Sequence, residues 1–119
     1  MNTKPITPEV HCIMDYAIGG LLVAAPAMMG MNSRAVNAYR MIGSSILGMN
    51  SMTDVKGAAK RMIPLRTHKM ADAGVLAATM ALTFTDFIRK DKKALSFHVG
   101  FMALSLTEFL LTDFKNQSL

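Results

Sequence analysis

His11-Cys12-Ile13-Met14-Asp15 and His68-Lys69-Met70-Ala71-Asp72 carry the same His-x-x-x-Asp spacing, 57 residues apart. Each copy opens a long, mostly apolar stretch. Each half then closes on a Thr-Asp pair, Thr53-Asp54 and Thr112-Asp113. The chain therefore reads as two copies of a helix–helix unit, residues 8–54 and 65–114. Residues four apart share one helix face, so each His is placed to touch its own Asp.

Composition narrows the class. The 119 residues suffice for a single domain, and 51% are apolar against 18% charged. The mean hydropathy of +0.29 is high for a soluble domain. Thirteen Lys and Arg fall almost wholly in three groups: Lys56 to Lys69, Arg89 to Lys93, and Arg34 with Arg40. Between these groups lie stretches of about 20 residues, the length a helix needs to cross the hydrocarbon core. The net charge of +5 is then read as loop charge facing anionic lipid headgroups. Basic residues are not interleaved with aromatic ones as on a nucleic-acid surface, so no nucleic-acid partner is expected. Cys12 is the only cysteine, which excludes an intrachain disulfide and a cysteine-based zinc site. Asp15 interrupts the apolar run that a cleaved signal peptide would need.

Four helical segments are expected. The first runs from about Pro8 to Met29, with Thr7 as N-cap, Pro8 at the first helical position and Glu9 at the positive end of the dipole. Pro26 is tolerated there if the helix crosses a membrane. The second, about Ala35 to Thr53, is diluted by Arg40, Ser44, Ser45, Asn50 and Ser51, while Gly43 and Gly48 allow close approach of a neighbour. Pro64 marks the stop before the third, about Thr67 to Ile88, whose Ala73, Ala77 and Ala81 form a small-residue seam. The fourth runs from about Ala94 to Phe114. No alternating strand pattern is present. The fold class is all-α: a four-transmembrane-helix bundle built from two tandem helical hairpins, forming one membrane domain over residues 1–119.

The run Val10-His11-Cys12-Ile13-Met14-Asp15-Tyr16, with Gly19, Gly20, Ala25 and Pro26, resembles the start of the SPW-repeat family of membrane proteins. The later run Thr53-Asp54, Gly57, Arg61-Met62-Ile63-Pro64, His68 and Asp72 resembles the same family. The likeness covers residues 10 to about 114 and lies in order and spacing. The Ser-Pro-Trp tripeptide is replaced by Ala25-Pro26-Ala27 in the first half and Met80-Ala81-Leu82 in the second. The resemblance implies paired transmembrane helices in a small bacterial or archaeal protein, and no activity.

Topology places the polar residues. If both hairpins cross a bilayer, His11, Asp15, His68, Asp72, Asp54 and Asp113 fall near one face, with Glu108 reaching toward them. Ionisable groups inside a membrane are costly and face a partner or a water-filled cavity. Three accounts of the cluster compete: His–Asp pairs that fix packing, a divalent metal site on His11, Asp15, His68 and Asp72, and proton handling. His98 falls near the opposite face, in a capping or interfacial role. Met28-Met29-Gly30-Met31 is a weaker, soft-metal candidate, since Met also fills gaps in apolar cores. No nucleophile sits in a Gly-x-Ser-x-Gly context and no phosphate-binding glycine loop is present.

The expectation is a non-enzymatic, multi-pass protein of the inner (cytoplasmic) membrane, with no resident cofactor, acting as a structural or interaction module. The alternative is a metal- or proton-handling membrane protein using the His/Asp cluster. Partners are the lipid bilayer and either a second copy or another membrane protein. Seven basic residues against six, with the long basic central connector, place both termini in the cytoplasm.

Overall fold

The computed structural model describes residues 4–55 and 58–114. Lys56, Gly57 and Lys115, used in the charge and family readings, lie outside them. Among the described residues the chain forms five helices and no strand: α1 Pro8–Met28, α2 Ser33–Ser51, α3 Leu65–Leu82, α4 Asp86–Arg89 and α5 Lys92–Leu111. Two of them, α1 and α5, are long and apolar enough to cross a membrane. The all-helical class and the four long helices agree with the sequence reading; α4 does not appear in it.

Local chemistry explains the boundaries. Thr7 caps α1 by accepting the Val10 N–H, with Pro8 in the first turn as expected. At the other end the Gly30 N–H bonds the Ala27 carbonyl and the Met31 N–H bonds the Pro26 carbonyl. This paired closure needs a left-handed residue, and Gly30 supplies it at φ 75°. Pro26 is thus accommodated in the last turn. Asn32 starts α2, its side-chain oxygen accepting the Ala35 N–H. Asp91 starts α5 by accepting the Lys93 and Ala94 N–H groups. The two caps also bond each other: Asn32 donates to Asp91 Oδ2 from both its amide side chain and its backbone. Those bonds, followed by the one from the Ala94 amide, hold the Asp91 carboxyl below the usual carboxylate range.

The third helix is shorter than its apolar pattern implies. The segment expected as one helix from Thr67 to Ile88 divides at Leu82, where the backbone tightens into three-residue turns and Thr83 is tied to His98 of α5. The Thr83 hydroxyl reaches His98 Nε2 at 2.7 Å, and the Thr85 hydroxyl turns back to the Leu82 carbonyl at 2.6 Å. Three successive turn bonds, from Thr83, Phe84 and Thr85 to the carbonyls three residues earlier, then lead into α4.

Helices α1 and α2 make the most extensive helix–helix contact. Its centre is Gly19 against Gly43, where a Cβ built on Gly43 would lie 2.7 Å from the Gly19 carbonyl oxygen. Gly48, expected to serve the same purpose, has nothing within 4 Å of its Cβ position. The Ala73, Ala77 and Ala81 seam is likewise corrected: all three are exposed. Helix α3 turns His68, Asp72 and Thr79 inward instead, and the alanines fall on the opposite side.

Two short backbone pairings close the same end of the fold. Ile6 pairs with Thr112, and Ile63 pairs with Thr53. The residue five before each cluster histidine is thereby tied to the end of α5 or of α2. These ties carry His11 and His68 to one place. An apolar core of Leu22, Ala35, Tyr39, Ile88, Ala94 and Phe101 fills the other end, and a smaller group, Cys12, Val55, Leu65 and Phe114, surrounds the histidines.

Candidate metal centre

His11 and Asp15 lie one turn apart on the buried face of α1, and His68 and Asp72 take the same positions on α3. Each His touches its own Asp, as the spacing predicts, and also the other one. His11 Nε2 lies 3.1 Å from Asp15 Oδ2 and 3.0 Å from Asp72 Oδ2. His68 Nε2 lies 3.0 Å from Asp15 Oδ2 and 3.2 Å from Asp72 Oδ2. The four atoms make a closed ring in which nitrogen and oxygen alternate. Only one oxygen of each carboxylate takes part, and it faces both imidazoles. Three of the four residues are buried and Asp72 is half-buried.

The backs of the imidazoles are fixed just as symmetrically. The Thr112 hydroxyl donates to the Glu108 carbonyl at 2.6 Å and lies 2.7 Å from His11 Nδ1. The Thr53 hydroxyl donates to the Met49 carbonyl at 2.7 Å and lies 2.6 Å from His68 Nδ1. A hydroxyl has one hydrogen, and in both cases the backbone takes it. Its lone pair must therefore accept from the ring, so both Nδ1 atoms carry hydrogen and both Nε2 atoms face the carboxylates.

Two states balance this ring. In one, both Nε2 atoms are protonated and two imidazolium ions face two carboxylates. In the other, both imidazoles are neutral and one divalent cation supplies the positive charge. The buried His/Asp group is able to hold a metal ion in the second state.

Glu108 joins the group from α5. It is buried, and Oε2 stands 3.4 Å from His11 Nδ1. The two aspartates expected beside it behave differently. Asp54 faces Arg61 at 3.3 Å on the partly exposed connector, and Asp113 gives its backbone N–H to the Ile6 carbonyl. In each Thr-Asp pair, then, the threonine serves the cluster. The signal was present: a Thr at a helix end has its hydroxyl bonded to the carbonyl four residues back and one lone pair to offer.

His98 forms a separate buried chain, Tyr39 OH to Nδ1 at 2.6 Å and Thr83 Oγ1 to Nε2 at 2.7 Å. Both ring nitrogens are thereby satisfied, in a packing role within the core. The methionine run does not converge, since Met28 and Met29 are exposed while Met31 is in the core. Comparisons with family models, with curated proteins and with solved structures find no match for this chain.

Proposed function

We propose that this chain is a small multi-pass membrane protein that holds one divalent transition-metal ion, zinc in class, between His11, Asp15, His68 and Asp72. The observation that carries the reading is the alternating ring with edges of 3.0–3.2 Å. Ligand atoms bound about 2 Å from one zinc ion stand at roughly that separation from each other. Pairwise ion pairing needs one oxygen per nitrogen; here each oxygen is shared by both nitrogens, the arrangement a central cation favours. The threonines act as outer partners of the kind that fix a ligating histidine. Two carboxylates neutralise the ion's charge, which suits a site taken out of water.

The membrane reading has its own support. Ile13, Leu21, Met41, Met70, Met80, Val99 and Leu110 are all at least half exposed, spread over the four long helices. His11, Asp15, Asn50, His68, His98 and Glu108 are buried. Buried ionisable groups at one end of the bundle, beneath exposed apolar side chains on every long helix, suit lipid. The four long helices have 18–21 residues each, about 27–32 Å, against a hydrocarbon core of about 30 Å. All four serve as spans in this reading, as the resemblance to paired-helix membrane proteins implies; α2 buries Asn50 and α3 buries His68 and Thr79, while Arg40, Ser44 and Ser45 of α2 and Lys69 of α3 lie on the exposed side. The ion's role is to bind α1 to α3 across the two halves.

Elemental analysis of detergent-purified protein tests the proposal, with about one equivalent of zinc, manganese or iron per chain expected. Metal-free protein that also takes up no added zinc would mean that the ring is balanced by protons. The histidines would then be packing devices or proton carriers.

The outer partners make a graded prediction. Thr53→Val and Thr112→Val keep shape but remove the acceptor behind one imidazole. Each is expected to lower zinc affinity about 10–100-fold, read by competition with a chromophoric chelator. Equal affinities in wild type and both variants would deny the threonines any role in the site.

A further inference from the structure

We infer that the ion has a further, exchangeable coordination position, occupied by a water-sized ligand that Glu108 holds by a hydrogen bond. The inference rests on the metal reading above and specifies what that site binds. Beside the ring lies a cavity of about 30 Å³. His11, Asp15, Asp72, Ser105 and Glu108 contribute its polar lining, and Val75 is part of its apolar wall. A water needs about 10–15 Å³ of such space and two to four polar partners, and this cavity offers both.

The second observation is independent of the ring. Glu108 is 5% exposed, and its Oε2 has no hydrogen-bond partner. The nearest candidate, His11 Nδ1 at 3.4 Å, already gives its hydrogen to Thr112. A buried carboxyl oxygen left without a donor is costly, and a donor in the cavity would satisfy it. Glu108 is not one of the converging ligands. It is a positioning residue for what the ion binds. Asp72 is the most exposed side chain of the ring, 18% against 3–7% for the others, so exchange with solvent runs past it. A metal ion with an open position binds and polarises water, whereas one whose positions are all filled by protein does not. The ligands of this position are therefore water, hydroxide and small anions such as azide.

Full-length protein loaded with cobalt(II) in detergent provides the test, because visible cobalt absorption strengthens several-fold when a five-coordinate site becomes four-coordinate. Wild type is expected to show the weaker five-coordinate spectrum and to shift with azide. Glu108→Leu, which removes the acceptor and fills the cavity, is expected to keep one cobalt while showing the stronger spectrum and no azide response. Val75→Phe fills the same cavity from α3 without altering Glu108, and the same change is expected if Glu108→Leu fails to fold. A wild-type spectrum that is already four-coordinate and blind to azide overturns the inference while leaving the metal site intact. An azide response that survives either folded variant also overturns it, and so does loss of cobalt from folded Glu108→Leu, which would make Glu108 a ligand. Failure of wild type to take up cobalt defeats the metal reading itself.

Discussion

A His11→Ala/His68→Ala protein is expected to carry no zinc where wild type carries one equivalent, and to melt at a lower temperature even in metal-free buffer. The two effects have separate causes. Zinc held by four protein ligands is worth about 10–16 kcal/mol in apparent terms, so losing two ligands costs roughly half of that, at least about 1,000-fold in affinity. The stability loss does not depend on metal. With both imidazoles gone, Asp15 and Asp72 are left facing each other with no cation between them. Breaking a buried ion pair by removing one partner costs about 3–5 kcal/mol. Metal content measured beside thermal unfolding separates the readings. A variant that loses stability while wild type never held metal would make the ring a packing device. Acid is expected to mimic the mutations, because protons compete with the ion for Nε2. The direction is fixed: bound zinc falls as pH falls, and it returns on neutralisation.

The second large effect is expected far from the ring. Gly43→Val should destabilise the protein by about 3 kcal/mol, because even a Cβ there meets the Gly19 carbonyl oxygen at 2.7 Å and Leu22 Cβ at 2.9 Å. A backbone carbonyl cannot rotate aside, so α1 and α2 must separate. Gly19→Ala is expected to be milder, since its closest obstacle is the Leu47 side chain, which has other rotamers. Gly48→Ala serves as the control. Its Cβ position is open, so the helical preference of alanine should leave stability equal or slightly raised. Unfolding in detergent ranks the three, and a Gly43 variant as stable as the Gly48 variant would show that the contact is dispensable.

Much of this was legible in the sequence. The His-x-x-x-Asp spacing gave one face to each helix, and Thr7 and Pro8 gave the start of α1. The connector prolines and charges gave the number of long segments. The rest depends on how one helix is rotated against another, which periodicity within a helix does not set. Ala73, Ala77 and Ala81 formed a seam suited to packing, yet inward-facing His68 and Asp72 turned that seam outward. Gly43 and Gly48 read alike as sequence, and only Gly43 meets a partner. Asp54 and Asp113 stand out in the sequence as ionisable residues, while the adjacent threonines have the geometry to accept from an imidazole. The break after Leu82 was hidden because Thr83 and Thr85 bond partners that the apolar pattern does not register.

The ring also implies an order of biosynthesis. Contact between α1 and α2 requires only the first half of the chain, and Gly19 and Gly43 can meet as soon as α2 has been made. The ring cannot form so early. His11 leaves on the first helix, but its partners Asp72 and Thr112 come from the third long helix and from the end of the last. Until the ribosome has delivered both, Asp15 has only one of its two imidazoles and His11 has no acceptor behind it. In the proposed reading, capture of the ion therefore waits for the third long helix, and its full hold waits for Thr112 at the end of the last.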